Sequence, residues 1–235
     1  MKSKTKEKTI ENQTDAINAI NQCINKMLEE SPSTADKFCY WLKDYASFLN
    51  YEKQFSPKSL KRYKRGEIIK AHLGFNIGSE EGGLHYCVVL DKENNLSSPV
   101  VTVAPLTSLK ENRDKMRMRK GEVFIGNDFR VKLEEKCNRM LERINELTAK
   151  ALDENKTVGA MQEIIDIAVQ RMDVQKELQR LKTGSIALVG QITTISKMRI
   201  YDPKTKYDVL ANIRLSDNVL DKLDKEFIEL FVQNK

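Results

Sequence analysis

The spacing of apolar positions along this chain changes three times, and each change marks a new kind of element. Over residues 8–30, Ile10, Ile17, Ile20, Ile24, Met27 and Leu28 recur close to heptad spacing, the stripe of an amphipathic helix. Ser31-Pro32-Ser33 interrupts it. Ser33 or Thr34 is placed to cap a second helix over 35–51, whose Phe38, Trp41, Leu42, Tyr45 and Leu49 share one face, and that face is expected to be core. From residue 67 the apolar runs become short and β-rich, at 67–73, 86–90, 100–104 and 122–125, with the turn-rich DKENNLSS over 91–98. Such a series predicts a small closed or half-closed barrel.

Between 128 and 182 the period lengthens again to about 3.5. Leu133, Cys137, Met140, Leu141, Ile144 and Leu147 form one stripe, and Met161, Ile164, Ile165, Ala168, Met172, Leu178 and Leu181 form another, with polar residues over 153–157 between them. Two helices of about 25 residues, each ~38 Å long, predict an antiparallel hairpin whose stripes close on each other and add little to the barrel. Strands resume after Thr183-Gly184, so the hairpin reads as an insertion. The expected fold class is α+β: a helical extension at 1–60, a barrel built from 61–127 and 184–235, and a coiled-coil-like hairpin at 128–183.

Composition narrows the function. The formal net charge is +6, and the basic residues cluster. Lys58, Lys61, Arg62, Lys64, Arg65 and Lys70 face Glu67 alone over 58–70, and Lys110, Arg113, Lys115, Arg117, Arg119 and Lys120 face Glu111 and Asp114 over 110–120. Two basic clusters beside one set of strands fit a phosphate backbone tracking across them. Cys23, Cys39, Cys87 and Cys137 have no metal or redox spacing, which fits reduced thiols and a cytoplasmic location. No apolar run approaches the roughly 18 residues of a membrane span, and the first residues lack a signal-peptide core. Walker, HExxH, EF-hand and Gly-x-Ser-x-Gly patterns are missing, and the Gly-rich loop at 78–83 is not followed by a phosphate-binding helix. No metal or other cofactor is expected.

That loop, GSEEGG, lies between two strands, follows the basic-Gly-acid string Arg65-Gly66-Glu67, and precedes a third strand that ends in a Pro-x-Thr turn, Pro105-Leu106-Thr107, followed by Ser108. The arrangement resembles the MazF/PemK toxins of type II toxin-antitoxin pairs. The resemblance covers about 65–126 and resumes at 185–235, where SIALVGQITTISKMRI resembles the family's late strands and 215–232 its closing helix. It implies an SH3-like β-barrel of the MazF/PemK/CcdB type and a homodimer whose groove cuts single-stranded RNA. It also implies a cognate antitoxin protein that covers the groove. RNA cleavage in this family is metal-independent: the ribose 2′-hydroxyl attacks the adjacent phosphate, which requires a base, an acid and donors to the phosphoryl oxygens.

The family opens its second strand with Arg-Pro, and this chain has His85-Tyr86 there. Imidazole exchanges protons near neutrality, which guanidinium does poorly, although it lacks the bidentate grip of Arg on phosphate. The resemblance therefore assigns His85, Thr107 and Glu80 to catalysis. It assigns Ser79, Gly82, Gly83, Ser108, Gln191 and Arg199 to RNA binding, to which the basic cluster adds Lys115, Arg117 and Arg119. His72, the chain's other histidine, is a candidate second acid or base. The other reading of His85 is a strand residue satisfied by a backbone carbonyl. Accordingly the endoribonuclease reading has an alternative, a non-catalytic module that binds RNA or grips a protein target as gyrase-inhibiting relatives of this barrel do.

Overall fold

The computed structural model describes residues 2–110, 117–154, 157–182 and 184–233. The chain divides into two compact units, one up to Gln54 and one from Phe55 on. In the first unit α1 (Lys2–Glu30) meets α2 (Pro32–Tyr51). The break falls at Ser31, whose carbonyl accepts from the amides of Thr34 at 2.9 Å and Ala35 at 3.1 Å, with Pro32 in the first helical turn where its missing N–H is no loss. The face of α2 expected to be core is only partly so. Phe38, Trp41 and Leu42 are half-buried, but Tyr45 and Leu49 are exposed, as are Ile10, Ile17, Ile20 and Leu28 of α1.

The second unit is built on an antiparallel sheet of seven strands: β1 (Ile68–His72), β2 (Leu84–Val89), β3 (Val100–Ser108), β4 (Glu122–Gly126), β5 (Ser185–Leu188), β6 (Thr193–Ser196) and β7 (Ile200–Asp202). The order is β4-β5-β3-β2-β1-β7, with β6 beside β3. Among the described residues no pairing joins β4 to β7, so the hydrogen-bonded path is open where the sequence predicts a barrel. The third strand is also longer than expected. Residues 100–103 of β3 pair with β6, and 106–108 pair with β5. Pro105 sits between the two pairings, where a residue without an N–H is tolerated, so the anticipated Pro-x-Thr turn is strand.

Alternation along the strands gives the sheet two apolar faces. Ile69, Ala71, Leu73, Cys87, Val89, Val101 and Val103 pack with Tyr63, Ile195 and Ile200 on one side. Ile68, Val88, Ala104 and Leu106 pack on the other with α3 (Asp128–Glu154), α4 (Thr157–Arg180) and α5 (Asp217–Phe231), which contribute Phe129, Leu133, Cys137, Val174, Leu220 and Leu223.

This second face overturns the expectation that the hairpin adds little to the core. Its base is core. Phe129 is 1 % exposed and Leu133 0 %, and Lys136 Nζ donates to the carbonyls of Asp208, Val209 and Ala211 at 2.8, 2.8 and 3.1 Å. Burial pulls the Lys136 ammonium down to about 8, opposed by Asp202 and Asp208. The predicted α4 stripe splits: Ile164, Ala168, Leu178 and Leu181 are half-buried while Met161, Ile165 and Met172 are exposed, and the buried apolar residue of α4, Val174, lies outside that stripe.

A buried carboxylate ties α4 to the sheet. Glu177 accepts from Lys70 Nζ at 2.7 Å, Tyr86 Oη at 2.6 Å and Arg180 Nη1 at 3.0 Å. Burial pushes its carboxyl up, but the bonds from Lys70 and Tyr86, the Lys70 charge and the Arg180 bond outweigh that and hold it below the usual range. A group with a depressed folded value stabilises fully above its unfolded value, about 4.3, and loses that contribution as pH falls through the folded one. Glu177→Gln is therefore expected to flatten the acid limb of stability, read as the urea midpoint between about pH 6 and pH 3.

Candidate active site

The loop from Leu73 to Leu84 is closed by backbone. Leu73 N donates to Gly83 O at 2.7 Å, and Gly83 N donates to Gly74 O at 2.6 Å. Gly83 has φ +81°, in the left-handed region that glycine enters without strain. Gly82 is required for a different reason: a Cβ there would stand 2.8 Å from Gly74 O. Gly82→Ala is expected to cost about 1–3 kcal/mol, read by chemical denaturation, because the obstacle is backbone that cannot swing away.

Gln191, from the short 3-10 turn that follows β5, grips this loop at two points. Its Oε1 accepts from Glu81 N at 2.5 Å, and its Nε2 donates to Ser79 O at 3.2 Å. Asn76 Nδ2 donates to Glu81 O at 2.7 Å. Between them these contacts fix the backbone of Glu81 and turn its carboxylate to the first residues of β2.

There it meets His85. The Nε2 of His85 lies 3.1 Å from Glu81 Oε1, and its Nδ1 lies 3.4 Å from Leu106 O. Both neighbours are acceptors, so the ring satisfies both only as imidazolium; a neutral ring donates to one of them. The side chains of His85 and Glu81 are 28 % and 24 % exposed, open enough for a ligand and shielded enough for their attraction to count. The loop acid on His85 is thus Glu81. Glu80, assigned to catalysis from the sequence, is exposed. The only mark of Glu81 in the sequence is its four-residue spacing to His85.

Two further groups share this side of the strand. Burial raises the Cys87 thiol to about 12, with the Glu81 carboxylate adding and Arg199 opposing, so Cys87 is a neutral packing group. Arg199 projects from the 3-10 turn before β7, with Nε 2.7 Å from His72 O. Burial lowers the Arg199 guanidinium below its usual value, opposed by Cys87.

The remaining candidates spread outward. Thr107, half-exposed, follows the carbonyl that faces His85, and the exposed Ser108 is next. Ser79, Arg117 and Arg119 are exposed, and Lys115 lies outside the described residues. His72 does not join His85. It pairs with Leu84 while His85 pairs with Ala71, and consecutive strand positions point to opposite faces. Its Nδ1 accepts from Gly74 N at 3.3 Å, a loop-closing contact. Among the described residues no three His, Cys, Asp or Glu side chains cluster to hold a metal, and no helix is long and apolar enough to cross a membrane.

Residues 64–172 match the sequence profile of a family described as PemK-like, MazF-like toxin of type II toxin-antitoxin system. The matched segment takes in β1 to β4, the Gly-rich loop, His85 and α3, and it ends inside α4. No curated protein matches the chain.

Proposed function

We propose, from the match of residues 64–172 to the PemK-like, MazF-like toxins of type II toxin-antitoxin systems, that the chain is a toxin of this kind and a metal-independent endoribonuclease acting on single-stranded RNA. The observation that supports this most is the His85 ring between the Glu81 carboxylate and the Leu106 carbonyl. In the proposed reaction the 2′-oxygen attacks phosphorus and the bond from phosphorus to the 5′-oxygen breaks, leaving a 2′,3′-cyclic phosphate and a 5′-hydroxyl. Glu81 takes the 2′-hydroxyl proton, and imidazolium at His85 delivers a proton to the departing 5′-oxygen. Arg199, Thr107 and Ser108 are the donors assigned to the phosphoryl oxygens. Ser79, Gly82 and Gly83 shape the loop over the bound strand, held by Gln191, and Lys115, Arg117 and Arg119 track its backbone. A cytoplasmic homodimer neutralised by an antitoxin protein completes this reading.

One observation favours a second reading, a non-catalytic module that binds RNA or grips and poisons a protein target. Position 85 carries His where the family pattern has its catalytic Arg, and a ring held by a carbonyl and a carboxylate is also a satisfied strand residue. Induced expression in a bacterial host separates the two. The ribonuclease reading predicts growth arrest with new 5′-hydroxyl ends in cellular RNA. Arrest with intact RNA selects the binding module, and unimpeded growth removes the toxin reading.

A further inference from the structure

The two positions at which this chain departs from the Arg-Pro of the family pattern face opposite sides of β2. His85 turns to the loop. Tyr86 turns to the hairpin, where its ring meets Phe129 of α3 edge-on at 5.1 Å and its hydroxyl donates to Glu177 of α4 at 2.6 Å. The same Glu177 oxygen accepts from Lys70 Nζ at 2.7 Å. Lys70 and Tyr86 are cross-strand partners, one rung from the pair formed by Ala71 and His85. A single carboxylate on the inserted helix therefore clamps both strands at the rung beside the site, and Arg180 holds its other oxygen at 3.0 Å.

Stability alone is a weak reason for such an arrangement. Glu177 is 7 % exposed, and desolvating a carboxylate and an ammonium consumes much of what their attraction returns, so that apolar replacements of buried pairs are often neutral or better. What three converging donors do supply is one position for the carboxylate, and through it one position for Lys70 and Tyr86. A shift of α4 is passed to β1 and β2 by hydrogen bonds of fixed length, whereas an apolar contact lets the helix slide.

We propose that Glu177 is a positioning residue for His85, and that the inserted hairpin sets the geometry of the site through the Glu177, Lys70 and Tyr86 clamp. The kinetic part of this proposal rests on the ribonuclease reading; the structural part does not.

The test uses the full-length protein. It has two histidines, so nitrogen-15 labelling of their rings gives few enough signals to assign His85 by its loss in His85→Gln. Glu177→Gln keeps the shape of the clamp and removes its charge. Tyr86→Phe keeps the ring on Phe129 and removes only the hydroxyl, and it decides the matter should Glu177→Gln fail to fold. Both are expected to move the His85 ring signals and to lower kcat about tenfold with KM for RNA nearly unchanged, the pattern of a reacting group displaced by a fraction of an ångström. Leu223→Ala, which opens a cavity in α5 away from the clamp, is expected to leave those signals in place. Unchanged His85 signals in folded Glu177→Gln and Tyr86→Phe overturn the proposal. A parent protein that does not cut RNA removes the ribonuclease reading instead, and the ring signals still decide the coupling.

Discussion

Replacing residues 128–182 with a short Gly-Ser turn is expected to abolish cooperative unfolding. The deletion removes Phe129, Leu133, Cys137 and Val174 from one core cluster, and burying a large apolar side chain contributes about 1.5–3 kcal/mol. It also uncovers the carbonyls of Asp208, Val209 and Ala211 that Lys136 satisfies and leaves Lys70 without its buried partner. Together these are comparable to the roughly 5–15 kcal/mol that holds an ordinary domain folded. Leu133→Ala alone is expected to cost about 2–5 kcal/mol. Cutting only the outer half, over 145–166, removes mainly exposed or half-buried side chains and is expected to preserve a cooperative transition. Urea unfolding of the three variants checks this, and a complete deletion that unfolds with the parent midpoint shows that the hairpin base is dispensable.

The second large effect concerns chemistry. His85→Ala is expected to lower the cleavage rate about a hundredfold or more while RNA affinity is nearly kept, because general acid-base groups contribute that much. Glu81→Gln is expected to fall in the same direction, since it removes the carboxylate 3.1 Å from the ring, whereas Glu80→Gln is expected to stay close to the parent. Neutralising Lys115, Arg117 and Arg119 together is expected to weaken binding and flatten its salt dependence. Single-turnover rates and affinity for an uncleavable RNA separate the two classes, and a His85→Ala variant as fast as the parent shows that the proton is moved by another group.

The difference between Glu80 and Glu81 shows where sequence reading stops. Strand alternation and helical periodicity assign a face to each residue, so the break at Pro32, the β-rich runs and the two long helices were legible, whereas α5 was expected only from the resemblance over 215–232. A Gly-rich loop has no such period. Which of two adjacent carboxylates faces His85 depends on positive φ at Gly83 and on a side-chain contact from Gln191, 110 residues away. Pro105 misled for a related reason: it signals a turn, but here it falls where β3 changes partner. The helical stripes of 128–182 were correctly seen as apolar, yet a stripe does not state what covers it. Near the base it is the sheet as well as the partner helix, and toward the tip Met161 and Ile165 face outward. His72 looked like a partner for His85 because both flank one loop, and the register of β1 against β2 sends them to opposite faces.

The measurement that bears most directly on the central claim is the chemistry of the RNA ends that the purified protein leaves. An unstructured RNA of mixed sequence is incubated with it in EDTA, and the fragments are resolved by mass. Cleavage that survives the chelator and yields 2′,3′-cyclic phosphate with 5′-hydroxyl ends is the predicted result. Cleavage that stops without divalent metal, fragments bearing 5′-phosphates, or no cutting across a broad set of sequences contradicts it.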